Sequence, residues 1–165
     1  MTDLQTLAHM ISDIDFTMMT TAGRDGSLYS RPMSTQKIDK NNFDGELWFF
    51  TKRDSPKVHE LEENQKVNLA YAQPDKQKYI SVSGLANIVT DKEKMQDLWN
   101  PVYKAWFPEG LNDPQLCLIR VQAETAEFWD SPPSKVVQAL GFAKAVITGK
   151  PYEQHGDNKQ INLQH

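Results

Sequence analysis

Cysteine is almost missing from this sequence. Cys117 is the only one among 165 residues, which excludes an internal disulfide and a cysteine-based metal cage. It lies in the apolar stretch Leu116-Cys117-Leu118-Ile119, so we predict a thiol packed in a strand in preference to a nucleophile. The four histidines are scattered and have no partners at a metal-ligand spacing. We therefore expect no metal site.

Long apolar runs and an excess of basic residues are also absent. No segment approaches the roughly 20 apolar residues of a membrane helix, and the first residues lack the features of a secretory signal. The 18 basic and 22 acidic residues leave a net charge of -4, which argues against nucleic acid as a partner. We expect a cytoplasmic protein that binds neither membranes nor nucleic acid.

The common catalytic motifs do not occur either. The sequence has no dinucleotide fingerprint, P-loop, nucleophile elbow or zincin motif. Glu60, Glu62 and Glu63 share a short predicted helix, and a solvated helix face explains them better than an acid–base pair. No catalytic side chain can be named from these residues.

What the sequence does contain is a series of strand-like segments. The first two of them flank a turn and predict a hairpin, and Gly84 is a predicted bulge. The predicted strands are Phe16–Thr21, Leu28–Ile38, Leu47–Thr51, Val67–Tyr71, Ile80–Ser83 and Leu116–Trp129. Residues 1–150 are expected to form one domain, followed by a polar tail over 151–165 that is frayed or adds a short strand.

Helices are predicted between these strands. Thr2 and Gln5 form a candidate capping box for the first helix, and Thr90 and Glu93 form another, before an apolar stripe that Pro101 kinks or restarts. Because short turns connect most strands, an antiparallel barrel is favoured over a doubly wound sheet. The predicted class is a β-rich α+β fold.

Asp54-Ser55-Pro56-Lys57 has the features of a helix start. Ser55 is a favoured N-cap, and Pro56 suits the first helical position because its missing N–H costs nothing there. The free N–H groups and the helix dipole attract an anion, and Lys57 adds a full charge. A phosphate monoester would fit, although this tetrapeptide alone favours the simpler interpretation of a capped surface helix.

A second candidate binding segment, Arg31-Pro32-Met33-Ser34, lies on a predicted strand. Pro32 cannot donate a hydrogen bond to a sheet, so it indicates an edge strand or interrupted pairing that leaves backbone groups free for a ligand.

Four segments in order carry a resemblance: R-P-M at Arg31–Met33, F-F-T-x-x-x-S-x-K at Phe49–Lys57, Tyr79–Gly84 and Glu127–Trp129. Over about residues 5 to 130 the chain resembles the general stress protein branch of the pyridoxamine 5′-phosphate oxidase-like, FMN-binding split-barrel family. The resemblance implies an antiparallel split β-barrel with peripheral helices. It also implies a homodimer with flavin at the interface, and FMN ahead of FAD or a deazaflavin.

The same resemblance implies the residues that contact the cofactor. Arg31, Ser55 and Lys57 are expected at the phosphate, although relatives usually carry another basic residue where this chain has Pro56. The other expected flavin contacts are Pro32, Met33 and Ser34 along the ring, Phe50 and Thr51, Tyr79, and Trp129 from the partner subunit.

The segment after Trp129 departs from the true oxidase. That enzyme carries an arginine and a histidine for its substrate, whereas this chain reads Asp130 to Val137 with Lys135 as its only basic residue. We therefore expect no useful production of pyridoxal 5′-phosphate. A flavin-dependent oxidoreductase of an unidentified small molecule is the first hypothesis, and a non-enzymatic flavin store or redox sensor is the alternative. Haem is disfavoured because no histidine ligand is evident.

Overall fold

The computed structural model describes residues 1–130, 135–151 and 157–164. Strands make up most of the ordered elements, which confirms the β-rich α+β class. In chain order these are α1 (Asp3–Ile11), β1 (Phe16–Ala22), β2 (Leu28–Ser34), β3 (Glu46–Lys52), α2 (Pro56–Glu63), β4 (Lys66–Gln73), β5 (Lys78–Val89), α3 (Lys92–Leu98), β6 (Leu116–Asp130), α4 (Lys135–Thr148) and β7 (Asp157–Asn162).

All strands belong to one antiparallel sheet. Its order is β2-β1-β4-β5-β6-β3, and β7 pairs with β6. The sheet curls until its two edges approach, where Gln36 N donates to Trp48 O over 2.9 Å. This curled half-barrel confirms the predicted split barrel. Pro32 lies on β2, at the sheet edge, where a missing N–H does not interrupt the pairing with β1.

The main core lies inside the curl, because alternate residues of each strand point inward. On β4 these are Val67, Leu69 and Tyr71, and α1 covers them with Leu7 and Ile11. A second, aromatic cluster lies on the opposite side of β3 against α3 and the turn at Pro101–Ala105. The curl therefore separates an inner face, closed by α1 and α2, from an outer face that remains largely open.

Two predicted elements have different ends in the structure. The strand predicted to reach Ile38 ends at Ser34, because Gln36 leaves β1 and bonds to β3 instead. The cap of α3 is Asp91 and not Thr90, since the Asp91 carboxylate accepts from the N–H groups of Glu93 and Lys94. In both cases the end of the element is set by a hydrogen bond that the prediction did not include.

Other local predictions are confirmed. Thr2 and Gln5 form the capping box of α1. The register shifts between Ser83 and Gly84, and a Cβ on Gly84 would lie 2.1 Å from the carbonyl oxygen of Gln122. Only glycine allows that close approach of two backbones.

The described residues include no helix that is long and apolar enough to cross a membrane. Residues 131–134, within the segment that departs from the oxidase, lie outside the described ranges.

Candidate functional site

The start of α2 follows the predicted pattern, with Ser55 in extended backbone and Pro56 as the first helical residue. The Ser55 hydroxyl, however, does not cap the helix. Thr51 and Ser55 supply two of the three buried side-chain oxygens that have no hydrogen-bond partner in the described part of the chain. A buried polar group without a partner costs about 1–3 kcal/mol. These two hydroxyls are therefore available to a ligand at the helix start.

Arg31 reaches the same region from β2. Its Nη1 donates to Thr21 Oγ1 over 2.7 Å and lies 3.4 Å from the carbonyl oxygen of Met19, while Nη2 donates to Glu60 Oε2 over 3.2 Å. The Thr21 hydroxyl in turn donates to the Glu60 carboxylate. One threonine thus connects the guanidinium on β2 to the carboxylate on α2.

The solvated face predicted for the glutamates of α2 is wrong for one of them. Glu62 and Glu63 are exposed, but the Glu60 side chain is only 17% exposed and pairs with Arg31. Helix α2 packs this face on β1, where Thr21 is a polar partner of Glu60, and Arg31 reaches the same carboxylate from β2. Thr21 was not singled out from the sequence and Glu60 was assigned to the solvated face, because their contacts join distant segments.

Lys57 is half-buried beside this network. Burial lowers the pKa of its ammonium group, and the nearby positive charge of Arg31 lowers the pKa further, whereas Cys117 and Glu60 oppose the shift. The structure thus gathers two cations and one carboxylate at a helix N-terminus. This arrangement favours an anion.

Cys117 borders the same region and is the buried strand thiol that the sequence predicts. Its Sγ donates to Thr51 O over 3.6 Å. Burial raises the pKa of the thiol, although the positive charges of Arg53 and Lys57 oppose that rise. A raised pKa favours the neutral thiol, which is a weaker nucleophile than the thiolate.

The remaining predicted residues divide between the faces of the sheet. Met33 points inward beside Arg31, whereas Pro32 and Ser34 point outward because side chains alternate along β2. Phe50 and Thr51 likewise lie on opposite faces of β3. The Phe50 ring packs in the aromatic cluster, 5.7 Å from the Trp99 ring and 5.3 Å from the Tyr103 ring.

Tyr79 and Trp129 are directly opposite each other on β5 and β6, and both face outward. Thr51 on β3 is paired with Cys117, and Trp129 lies twelve residues farther along β6, about 40 Å along the strand at the usual rise per residue. Within one chain, the structure therefore brings together Arg31, Lys57, Thr51 and Ser55 but not Trp129. Among the residues that the structure describes, no group of His, Cys, Asp or Glu could hold a metal ion.

Comparison with known proteins decides the family. The sequence model described as "pyridoxamine 5′-phosphate oxidase like" matches residues 2–153. The chain belongs to this family. Solved structures similar to this chain include the general stress FMN/FAD binding protein from Xanthomonas citri, which is 29% identical, covers 79% of this chain and 90% of its own, and superposes with a TM-score of 0.68.

Two further proteins are similar to this chain, and one of them is named as a general stress protein. General Stress Protein 26 from Bacillus anthracis is 25% identical, with 77% of this chain and 94% of that chain covered and a TM-score of 0.64. Protein bli-3 of Neurospora crassa is 33% identical over 154 residues, which cover 88% of this chain and 73% of the relative. The family and branch predicted from the four segments are confirmed.

Proposed function

We propose that this protein binds FMN, with the phosphate at the N-terminus of α2. The observation that carries the proposal is the pair of partnerless buried hydroxyls, Thr51 and Ser55, beside the cations Arg31 and Lys57. A phosphate monoester accepts several hydrogen bonds and carries about two negative charges at neutral pH. It would satisfy both hydroxyls and relieve the repulsion between the cations.

Different residues of the chain would contact the phosphate and the flavin ring of FMN. Lys57, Arg31 and the α2 backbone would hold the phosphate, and the inward side chain of Met33 would contact the flavin. Because Pro56 replaces the second basic residue of relatives, the hydroxyls take a larger share of phosphate recognition. The Xanthomonas citri relative is named for binding FMN or FAD, which supports a flavin as the ligand.

The second part of the proposal is a homodimer. The outward residues Phe16, Met18 and Tyr79 are 64%, 43% and 43% exposed, an unusual amount of apolar surface on one sheet face. Because β2 is an edge strand, a flavin extending from the phosphate site past this edge would meet a second copy that covers the outer face, and the partner's Trp129 would contact it there. The outward Pro32 and Ser34 would then border the interface.

Bound FMN supplies reversible electron transfer, and a flavin-dependent oxidoreductase of a small molecule is the activity we propose. Storage of FMN or redox sensing is the second candidate. It is favoured by the composition of the site, where Arg31 and Glu60 bind each other and burial raises the pKa of the Cys117 thiol. The two candidates differ in whether a reductant bleaches the bound flavin rapidly under anaerobic conditions.

Cofactor binding is tested first with riboflavin, which lacks the phosphate. Lys57→Gln and, separately, Arg31→Gln should each weaken FMN about tenfold or more while changing riboflavin affinity little, since a charge-assisted hydrogen bond is lost only to the phosphate. Quenching of flavin fluorescence measures both affinities. Lys76→Gln, at an exposed position on the loop between β4 and β5, is the matched control. A colourless protein that does not bind added FMN, or equal losses for both ligands, would refute the proposal.

A further inference from the structure

Glu60 introduces a negative charge into the site proposed for the phosphate. Its carboxylate lies 3.2 Å from Arg31 Nη2, and the two side chains are 17% and 21% exposed. On α2 it follows Lys57 by one helical turn, so both residues project from the same helix face. A carboxylate in this position opposes the attraction that Arg31 and Lys57 exert on an anion.

The orientation of Arg31 does not depend on Glu60 alone. Strand β1 holds the guanidinium through Nη1, which donates to Thr21 Oγ1 over 2.7 Å and lies 3.4 Å from Met19 O. Glu60 engages the other terminal nitrogen, Nη2, through a single carboxylate oxygen. What Glu60 adds to the site is therefore its charge and its occupation of Nη2, the group that a phosphate oxygen would also bind.

We propose that Glu60 is a specificity-determining counter-charge, which competes with the ligand's phosphate for Arg31 and thereby weakens the preference of the site for a doubly charged phosphate. This inference rests on the proposed FMN site. Arg31, Lys57 and Glu60 together carry a charge of about +1, and Arg31 and Lys57 alone about +2. The terminal phosphate of FMN carries about -2 at neutral pH, whereas the phosphate next to the flavin in FAD carries one charge. With Glu60 present, the two cofactors become more nearly equal ligands.

The test is Glu60→Gln, which keeps the size and an acceptor oxygen for Arg31 but removes the charge. Affinities for FMN, FAD and riboflavin are measured by fluorescence quenching in the full-length protein. We expect FMN to bind about fivefold tighter or more, FAD to gain less, and riboflavin to stay within about twofold, because the gain should follow ligand charge. Glu62→Gln removes the same charge from an exposed position of the same helix and should leave all three affinities within about twofold.

Thermal unfolding of each variant establishes that it is folded, and Glu60→Ala repeats the test without the amide group. Unchanged or weaker FMN binding in the folded variants overturns the inference, because Glu60 would then support Arg31 instead of competing for it. Equal gains for all three flavins overturn it as well. Loss of FMN binding in Lys57→Gln, together with no gain in Glu60→Gln, refutes this inference but leaves the proposed function intact. Failure of the unmodified protein to bind FMN refutes both.

Discussion

At the level of single residues, Lys57 is an ammonium group whose charge is disfavoured by burial and by Arg31. A phosphate would compensate for both effects, so the advantage of FMN over riboflavin depends on Lys57 being protonated. Because its pKa is lowered, protonation is lost at a lower pH than the usual lysine value of 10.5. The phosphate becomes fully charged only above about pH 6, its second pKa.

The ratio of FMN affinity to riboflavin affinity should therefore be lower at acidic pH and at alkaline pH than near neutral pH. We expect it to rise from pH 5 to pH 7 as the phosphate ionises, and to fall again below the ordinary lysine range as Lys57 loses its proton. Flavin titrations across this range measure the ratio, which cancels effects of pH on the flavin ring. In Lys57→Gln the alkaline fall should disappear while the acidic rise remains. An alkaline fall that persists in the variant would assign it to another group.

At the level of secondary-structure elements, the sequence predicts what depends on neighbours along the chain. The capping box at Thr2, the helix start at Pro56 and the bulge at Gly84 all follow from local rules and are confirmed. The end of β2 depends on Trp48 in another strand, and the burial of Glu60 depends on Arg31. No local pattern encodes such partners, which is why the contacts of Thr21 and Glu60 in the candidate phosphate site were missed.

The cap of α3 provides a stability test at the scale of one helix end. Asp91→Ala should lower the free energy of unfolding by about 1 kcal/mol, because it removes the acceptor for two N–H groups at the helix start. Thr90→Ala, one residue earlier, should cost about 0.5 kcal/mol or less, since an exposed substitution without such a role has little effect. Urea unfolding at neutral pH measures both. A larger loss of unfolding free energy in Thr90→Ala than in Asp91→Ala would instead support the capping box predicted from the sequence.

At the level of the whole molecule, the outer face of the sheet is the surface that the proposed dimer covers. Ala70 on β4 lies between Met18 on β1 and Ser81 on β5, and all three face outward. Ala70 is exposed in the single chain, so a larger polar side chain there meets no obstacle within the subunit. Such a side chain would disturb only a second subunit that covers the face.

Ala70→Glu should accordingly convert a dimer into a monomer, because two buried carboxylates would face the interface without partners. Light scattering coupled to gel filtration measures the mass of the particle in solution, which distinguishes dimer from monomer. Thermal unfolding checks that the subunit is folded. FMN should bind more weakly to the monomer if the partner's Trp129 reaches the flavin, and Trp129→Ala should then weaken FMN by a similar factor without changing the mass. Gln96→Glu adds the same charge at an exposed position on α3 and should leave mass and affinity unchanged. A monomeric parent protein would refute the proposed dimer, whereas an Ala70→Glu variant that remains dimeric would place the subunit contact on another surface.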